Sequence, residues 1–156
     1  MLTHTFKSAH KLVTGCNASN KLAEYCQSLD MSKVLLLTDQ AVLKSGILER
    51  IFDLLKNAEI QYSVYADITP EPEIEVVLQS KAFFDQEQYN GVIAVGGGSV
   101  IDTSKCVALF SSNQVELEEL FGENKVSQKG LPLIVLPTTA GINYLKLQQL
   151  YLIIFI

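Results

Sequence analysis

Residues 91–110 read GVIAVGGGSVIDTSKCVALF. A short apolar run, 91–95, ends in three glycines, and a second apolar stretch with helical spacing follows at once. That order predicts a buried strand turning directly into a helix from Ser99 to about Ser111. The turn admits two readings. Helix N-termini present free backbone N–H groups and a partial positive charge. Glycines let a phosphate approach that backbone without a Cβ in the way, so Gly96, Gly97 and Gly98 suit a diphosphate cradle. Alternatively, the glycines supply φ > 0 at a tight turn, and Ser99 and Asp102 form a capping box as N-cap and N3. The stretch is not a P-loop, because no G-x-x-x-x-G-K-[ST] is present. It also fails G-x-G-x-x-G, since from Gly96 the final glycine position holds Ile101.

Outward from this turn the chain alternates strand and helix. KVLLLTD (33–39) and LPLIVLPTT (131–139) are continuous apolar strands, as expected where a sheet is covered on both faces. KLVTG (11–15) is a short extended run, and IQYSVYAD (60–67) alternates like a strand. Residues 17–29 read as a helix with Leu22, Cys26 and Leu29 in one stripe. Residues 46–59 form a clear amphipathic helix, with Ile47, Ile51, Leu54 and Leu55 along one side. TPEPE (69–73) is a turn leading into a helix over 73–89, with Pro72 in its first turn, and VELEELFG (115–122) is a further short helix. The predicted class is α/β: a mainly parallel sheet with helices on both faces, a Rossmann-like arrangement. In such sheets ligands sit outside the carboxyl ends of the strands. Three segments stand there: Thr38-Asp39, Gly96 to Ser99, and Pro137-Thr138-Thr139.

The bulk properties narrow the classes. At 156 residues, 48% apolar and 19% charged, the chain is sized and composed as one soluble domain with a real core. A net charge of −5 and the lack of a basic run argue against a nucleic-acid partner. Cys16, Cys26 and Cys106 are scattered without a CxxC pair, which suits a reducing cytosol. No signal-peptide h-region and no apolar run of membrane-spanning length are present, so a cytoplasmic protein without membrane association is expected.

GGGSVIDTSK, followed about 35 residues on by LPLIVLPTTAG, resembles the iron-containing (group III) alcohol dehydrogenases. The likeness runs from about Lys11 to Gly141, in the order of that family's N-terminal domain. The resemblance implies NAD(P) on this α/β domain, Fe2+ or Zn2+ on a helical second domain, and hydride transfer between nicotinamide and a small-molecule alcohol or aldehyde. It further implies that the glycine turn (Gly96, Gly97, Gly98) and Ser99 hold the pyrophosphate and that Asp102 lies near the nicotinamide end. Thr138 and Thr139 would bond the cofactor from the next strand end, and Asp39 would sit by the adenosine ribose. Each has a plainer alternative: Asp39 as a helix cap, Asp102 as a capping-box member, and the threonines as caps or β-formers. A carboxylate accepts from ribose hydroxyls and repels a 2′-phosphate, so NAD is expected over NADP.

Two departures bear on the site. Where the family often has asparagine between two prolines, this chain has Glu71, placing a second acidic residue near the adenosine end. In TGCNA, only Gly15 and Ala18 match the family's first small-residue turn. After Gly141 the likeness stops. The family's metal ligands, usually an aspartate and three histidines, are not found, and His4 and His10 lie near the N-terminus, so no metal ligand and no catalytic residue is assigned. The expected organisation is a dinucleotide-binding domain over 1–141 and an aberrant hydrophobic tail over 142–156. LYLIIFI (150–156) is aggregation-prone if exposed, or else an extra strand or helix closing the domain. The expected function is the cofactor-binding half of an NAD-dependent alcohol dehydrogenase or aldehyde reductase, inactive alone, with a homo-oligomer among the expected assemblies. The alternatives are a non-catalytic nucleotide-binding fragment or a relative of glycerol dehydrogenase and dehydroquinate synthase.

Overall fold

The structure is a computed structural model that describes residues 10–111, 129–138 and 152–155. Its elements follow the predicted alternation. β1 (Lys11–Val13) leads through a 3-10 turn (Ala18–Lys21) into α1 (Leu22–Ser28), then β2 (Lys33–Leu37), α2 (Gln40–Lys44), α3 (Leu48–Asn57) and β3 (Gln61–Tyr65). α4 (Ile74–Phe84), β4 (Gly91–Gly96), α5 (Gly98–Phe110), β5 (Leu133–Pro137) and β6 (Leu152–Phe155) complete it. One sheet runs in the order β1-β6-β5-β4-β2-β3. β3, β2, β4 and β5 are parallel, while β6 pairs antiparallel with both β5 and β1.

The continuous apolar runs have the reason the sequence suggested. Adjacent strand residues point to opposite faces, and both faces are covered. Val34, Leu36, Ile93, Val95, Ile134 and Leu136 pack with Leu22 and Cys26 of α1 and with Leu48, Ile51 and Leu55 of α3. Leu35, Leu37, Val92, Ala94, Leu133 and Val135 pack on the other face with Phe84 of α4 and with Val100, Val107 and Ala108 of α5. Burial of each large side chain contributes roughly 1.5–3 kcal/mol, so this double core stabilises the scaffold on which the strand ends are fixed.

Some boundaries differ from expectation. The segment over 17–29 opens as a 3-10 turn because Asn17 takes a left-handed conformation, φ 61°. α4 starts at Ile74 with Glu73 as its N-cap, so Pro72 precedes the helix rather than lying in its first turn. α4 ends at Phe84. There the chain leaves the sheet face and Tyr89 returns to pack on Phe84, with ring centroids 5.2 Å apart. Residues 115–122 lie outside the described residues. Leu152–Phe155, within the hydrophobic tail, are the strand β6, and Ile154 is buried in the α1/α3 core.

Candidate functional site

The sheet has its switch point between β2 and β4. The chain passes from β2 outward to β3, then returns across β2 to β4. Loops leaving the two strands therefore diverge and open a crevice. A cavity of about 680 Å³ occupies it, at the carboxyl ends of β2, β3, β4 and β5. Asp39, Gly97, Ser99 and Thr138 all line it, so three strand ends picked out from sequence meet in one place.

Each strand end is held by specific bonds. Thr38 is fully buried; its N–H donates to Tyr65 O at 3.0 Å and its hydroxyl to Val95 O at 2.7 Å. It thus ties β2 to both neighbours at the level of the cavity. Thr138 N–H donates to Gly96 O at 3.0 Å, fixing the end of β5 against the glycine turn. Asp39 is the N-cap of α2, accepting from Val42 N–H at 2.8 Å. Its cap role and its place on the cavity wall coexist. Thr139 lies outside the described residues.

The glycine turn is built differently from the capping-box expectation. α5 begins at Gly98 with Gly97 as N-cap and no side-chain cap. Because the N-cap lies at Gly97, two residues before Ser99, Asp102 is a full turn inside the helix and cannot reach the first N–H groups. Asp102 instead pairs with Lys105 at 2.9 Å, its side chain 73% exposed, and it does not line the cavity. Ser99 turns its hydroxyl oxygen the other way, accepting from Glu71 N–H at 3.2 Å. That bond ties the loop after β3 to the start of α5, with Glu71 itself held at φ 50°. The exposed Glu71 side chain is not on the cavity wall, so it is not the second acidic residue there.

None of the three glycines has positive φ, which removes the tight-turn rationale for them. Gly96 is required by packing: a Cβ there would lie 2.6 Å from Val100 Cγ2 and 2.7 Å from Val100 Cβ. At Gly98 a Cβ would meet nothing within 4 Å. Neither conformation nor packing within the chain demands glycine at 98, yet the residue leaves open space beside an uncapped helix N-terminus. The first backbone bond of α5 runs from Ile101 N–H to Gly97 O, so the preceding N–H groups have no partner within the helix. This geometry fits an anionic ligand group.

Sequence reading missed the second wall of the cavity. Ala66, Asp67, Ile68, Thr69 and Pro70, from the loop after β3, line it together with the glycine turn. Gln40 joins the walls, its Nε2 donating to Asp67 Oδ1 at 3.1 Å. A parallel-sheet end two residues beyond β3 was the available signal. No cysteine lines the cavity. Cys106, on α5, has its thiol raised above the ordinary value by burial and, secondarily, by the Asp102 charge, with Lys105 opposing. Among the described residues no group of three His, Cys, Asp or Glu side chains is placed to hold a metal ion. Nor is any helix among them long and apolar enough to cross a membrane.

Residues 9–143 match the family described as iron-containing alcohol dehydrogenase. The chain belongs to the iron-containing alcohol dehydrogenase family. A choline dehydrogenase of Bacillus subtilis (strain 168) is 30% identical over 141 residues, 88% of this chain and 35% of that protein. The structure of NADH-dependent butanol dehydrogenase A from Thermotoga maritima aligns with a TM-score of 0.79 at 26% identity. That alignment covers 89% of this chain and 35% of the other. A sulfoacetaldehyde reductase from Bifidobacterium kashiwanohense, in complex with NAD+, gives a TM-score of 0.71 at 27% identity, over 81% of this chain and 34% of that one. The cavity thus lies in an iron-containing alcohol dehydrogenase N-terminal domain. The chain spans about a third of the length of the curated relatives it matches.

Proposed function

We propose that the cavity binds NAD and that the chain serves an NAD-dependent dehydrogenase acting on a small alcohol or its aldehyde. The observation that carries this reading is the uncapped N-terminus of the thirteen-residue α5, whose Gly97 and Ser99 line the cavity, with open space where a Cβ on Gly98 would stand. The pyrophosphate would be held by the N–H groups that open α5, with Gly97 and Ser99 on the cavity wall. The Ser99 oxygen already accepts from Glu71 N–H, so its own O–H is free to donate to a phosphoryl oxygen. Thr138, and Thr139 beside it, would bond the cofactor from β5. Asp39 would accept from the adenosine ribose and disfavour a 2′-phosphate, giving NAD over NADP. Asp102, turned to solvent with Lys105, has no part in holding the phosphates.

Bound NAD supplies a hydride acceptor, and in the family iron lowers the pKa of an alcohol hydroxyl and polarises the aldehyde in reverse. None of the described residues is assigned to that iron, nor to zinc in its place. What these residues do is bind and orient the cofactor and exclude water from one side of it. The test is titration calorimetry of the 156-residue chain with NAD+ and with NADP+, beside NADH formation from a series of short alcohols with added iron or zinc. NAD+ binding tighter than NADP+ is expected. A folded chain that binds neither nucleotide would overturn the reading. Saturable NAD+ binding without turnover under any metal would favour the non-catalytic binding module.

A further inference from the structure

Resting on the NAD reading above, we propose that Asp67 is a second specificity-determining carboxylate of this cavity, acting beside Asp39, and that Gln40 is the residue that positions it.

The placement follows from register. Leu37 and Tyr65 are paired in the parallel ladder of β2 and β3. The ladder continues one step further through Thr38 N–H to Tyr65 O. Asp39 and Asp67 stand two residues beyond that pair on neighbouring strand ends. Adjacent strands lie about 5 Å apart, so the two acidic residues reach the same mouth of the cavity at nearly the same level. Both line its wall. Among the described residues that line it there is no lysine and no arginine, so none of them offsets the two charges.

Each carboxylate has one oxygen tied down. Asp39 Oδ1 takes Val42 N–H at 2.8 Å, and Asp67 Oδ1 takes Gln40 Nε2 at 3.1 Å. The second oxygen of each keeps acceptor capacity. An adenosine ribose presents two neighbouring hydroxyl donors, which suits two fixed acceptors side by side. A ribose 2′-phosphate instead brings about two negative charges toward two carboxylates, and both carboxylates repel it. Gln40 matters because Asp67 is exposed. Without the amide bond the carboxylate would spread over rotamers that point into water, where its charge is screened. The acidic selectivity is thereby shared between two strand ends, and removing either one leaves the other in place.

Asp39→Asn, Asp67→Asn, the double variant and Gln40→Ala test this, each titrated with NAD+ and NADP+ by calorimetry at low and high salt. Asparagine keeps the Oδ1 acceptor for Val42 N–H or for Gln40, so the caps and the fold are retained while the charge is removed. The ratio of NADP+ to NAD+ dissociation constants should fall about tenfold for each single change and about a hundredfold for the double, with smaller changes at high salt. Gln40→Ala should lower the ratio although it changes no charge, which a purely structural role would not do. If the wild-type chain binds NAD+ and Asp67→Asn leaves the ratio unchanged while Asp39→Asn lowers it, Asp67 has no such role and the NAD reading stands. If the wild type binds neither nucleotide, the NAD reading falls and this inference with it.

Discussion

Gly96 and Gly98 sit two residues apart in one turn, yet alanine at each should give opposite results. A Cβ on Gly96 would stand 2.6, 2.7 and 3.0 Å from Val100 Cγ2, Cβ and Cγ1. Comfortable carbon contacts are about 3.5–4.0 Å, so the overlap is about 1 Å. Val100 is buried, and its Cβ cannot rotate aside, so the end of β4 must separate from the first turn of α5. Overpacking of that kind costs about 1–3 kcal/mol, or about 2–4 °C of melting temperature per kcal/mol at this chain length. Gly98→Ala meets no atom within 4 Å, and its φ is not positive. Alanine is the better helix former and restricts the unfolded chain, so stability should hold or rise by about 0.5 kcal/mol. On the proposed reading, however, the added methyl would crowd a pyrophosphate held by the N–H groups that open α5. Losing one hydrogen bond to a charged phosphoryl oxygen costs about 1.5–3 kcal/mol, which is about ten- to a hundredfold in NAD+ affinity. Urea titrations followed by circular dichroism would read the first effect and calorimetry with NAD+ the second. If Gly98→Ala destabilises as Gly96→Ala does, or binds NAD+ as the wild type does, the argument that Gly98 is kept open for a ligand is wrong.

Ile154 is 2% exposed in the core beneath β6, whereas Leu12 on the neighbouring strand is 62% exposed. Ile154→Ala should cost about 2–5 kcal/mol and Leu12→Ala about 0.5 kcal/mol or less; equal effects in denaturant titration would argue against β6 lying inside the sheet. Burial pushes the Cys26 thiol from 9.0 up to about 12, while Cys16 is exposed. A disulfide reagent at neutral pH should label Cys16 in the native chain and Cys26 only after unfolding. The unfolded state loses the Cys26 proton first, so that thiol's contribution is complete below pH 9.0 and is lost as pH rises toward about 12. A stability that holds flat over that window in a Cys16→Ser background would contradict it.

The architecture was largely legible because its signals are local. Continuous apolar runs at 34–37, 91–95 and 133–136, bounded by turn residues, read as strands with two covered faces, and the stripe of Ile51 and Leu55 reads as facing a core. The strand ends at Asp39, Gly97, Ser99 and Thr138 could be located because ligands in such sheets gather at carboxyl ends. The alternatives left open there were of another kind. Whether Ser99 or Gly97 caps α5 depends on where Glu71 lies, 28 residues away in the chain. Asp67 reads as an ordinary loop aspartate until Gln40, 27 residues earlier, is seen to hold it at the cavity mouth. The apolar tail carried no periodicity by which to choose between an exposed hazard and a strand, since four residues are too few for one.

Side-chain chemistry and periodicity along the chain therefore determined the fold class, the two-faced core and three of the strand ends around the cavity. Only the tertiary structure decided which glycine is needed for packing and which is open to a ligand. It also decided which acidic residues share the cavity, and that β6 enters the sheet between β1 and β5. The physical reason is the same in each case. Periodicity is set by bonds between near neighbours in sequence, whereas steric clearance, charge proximity and strand insertion are set by residues that meet only when the chain is folded.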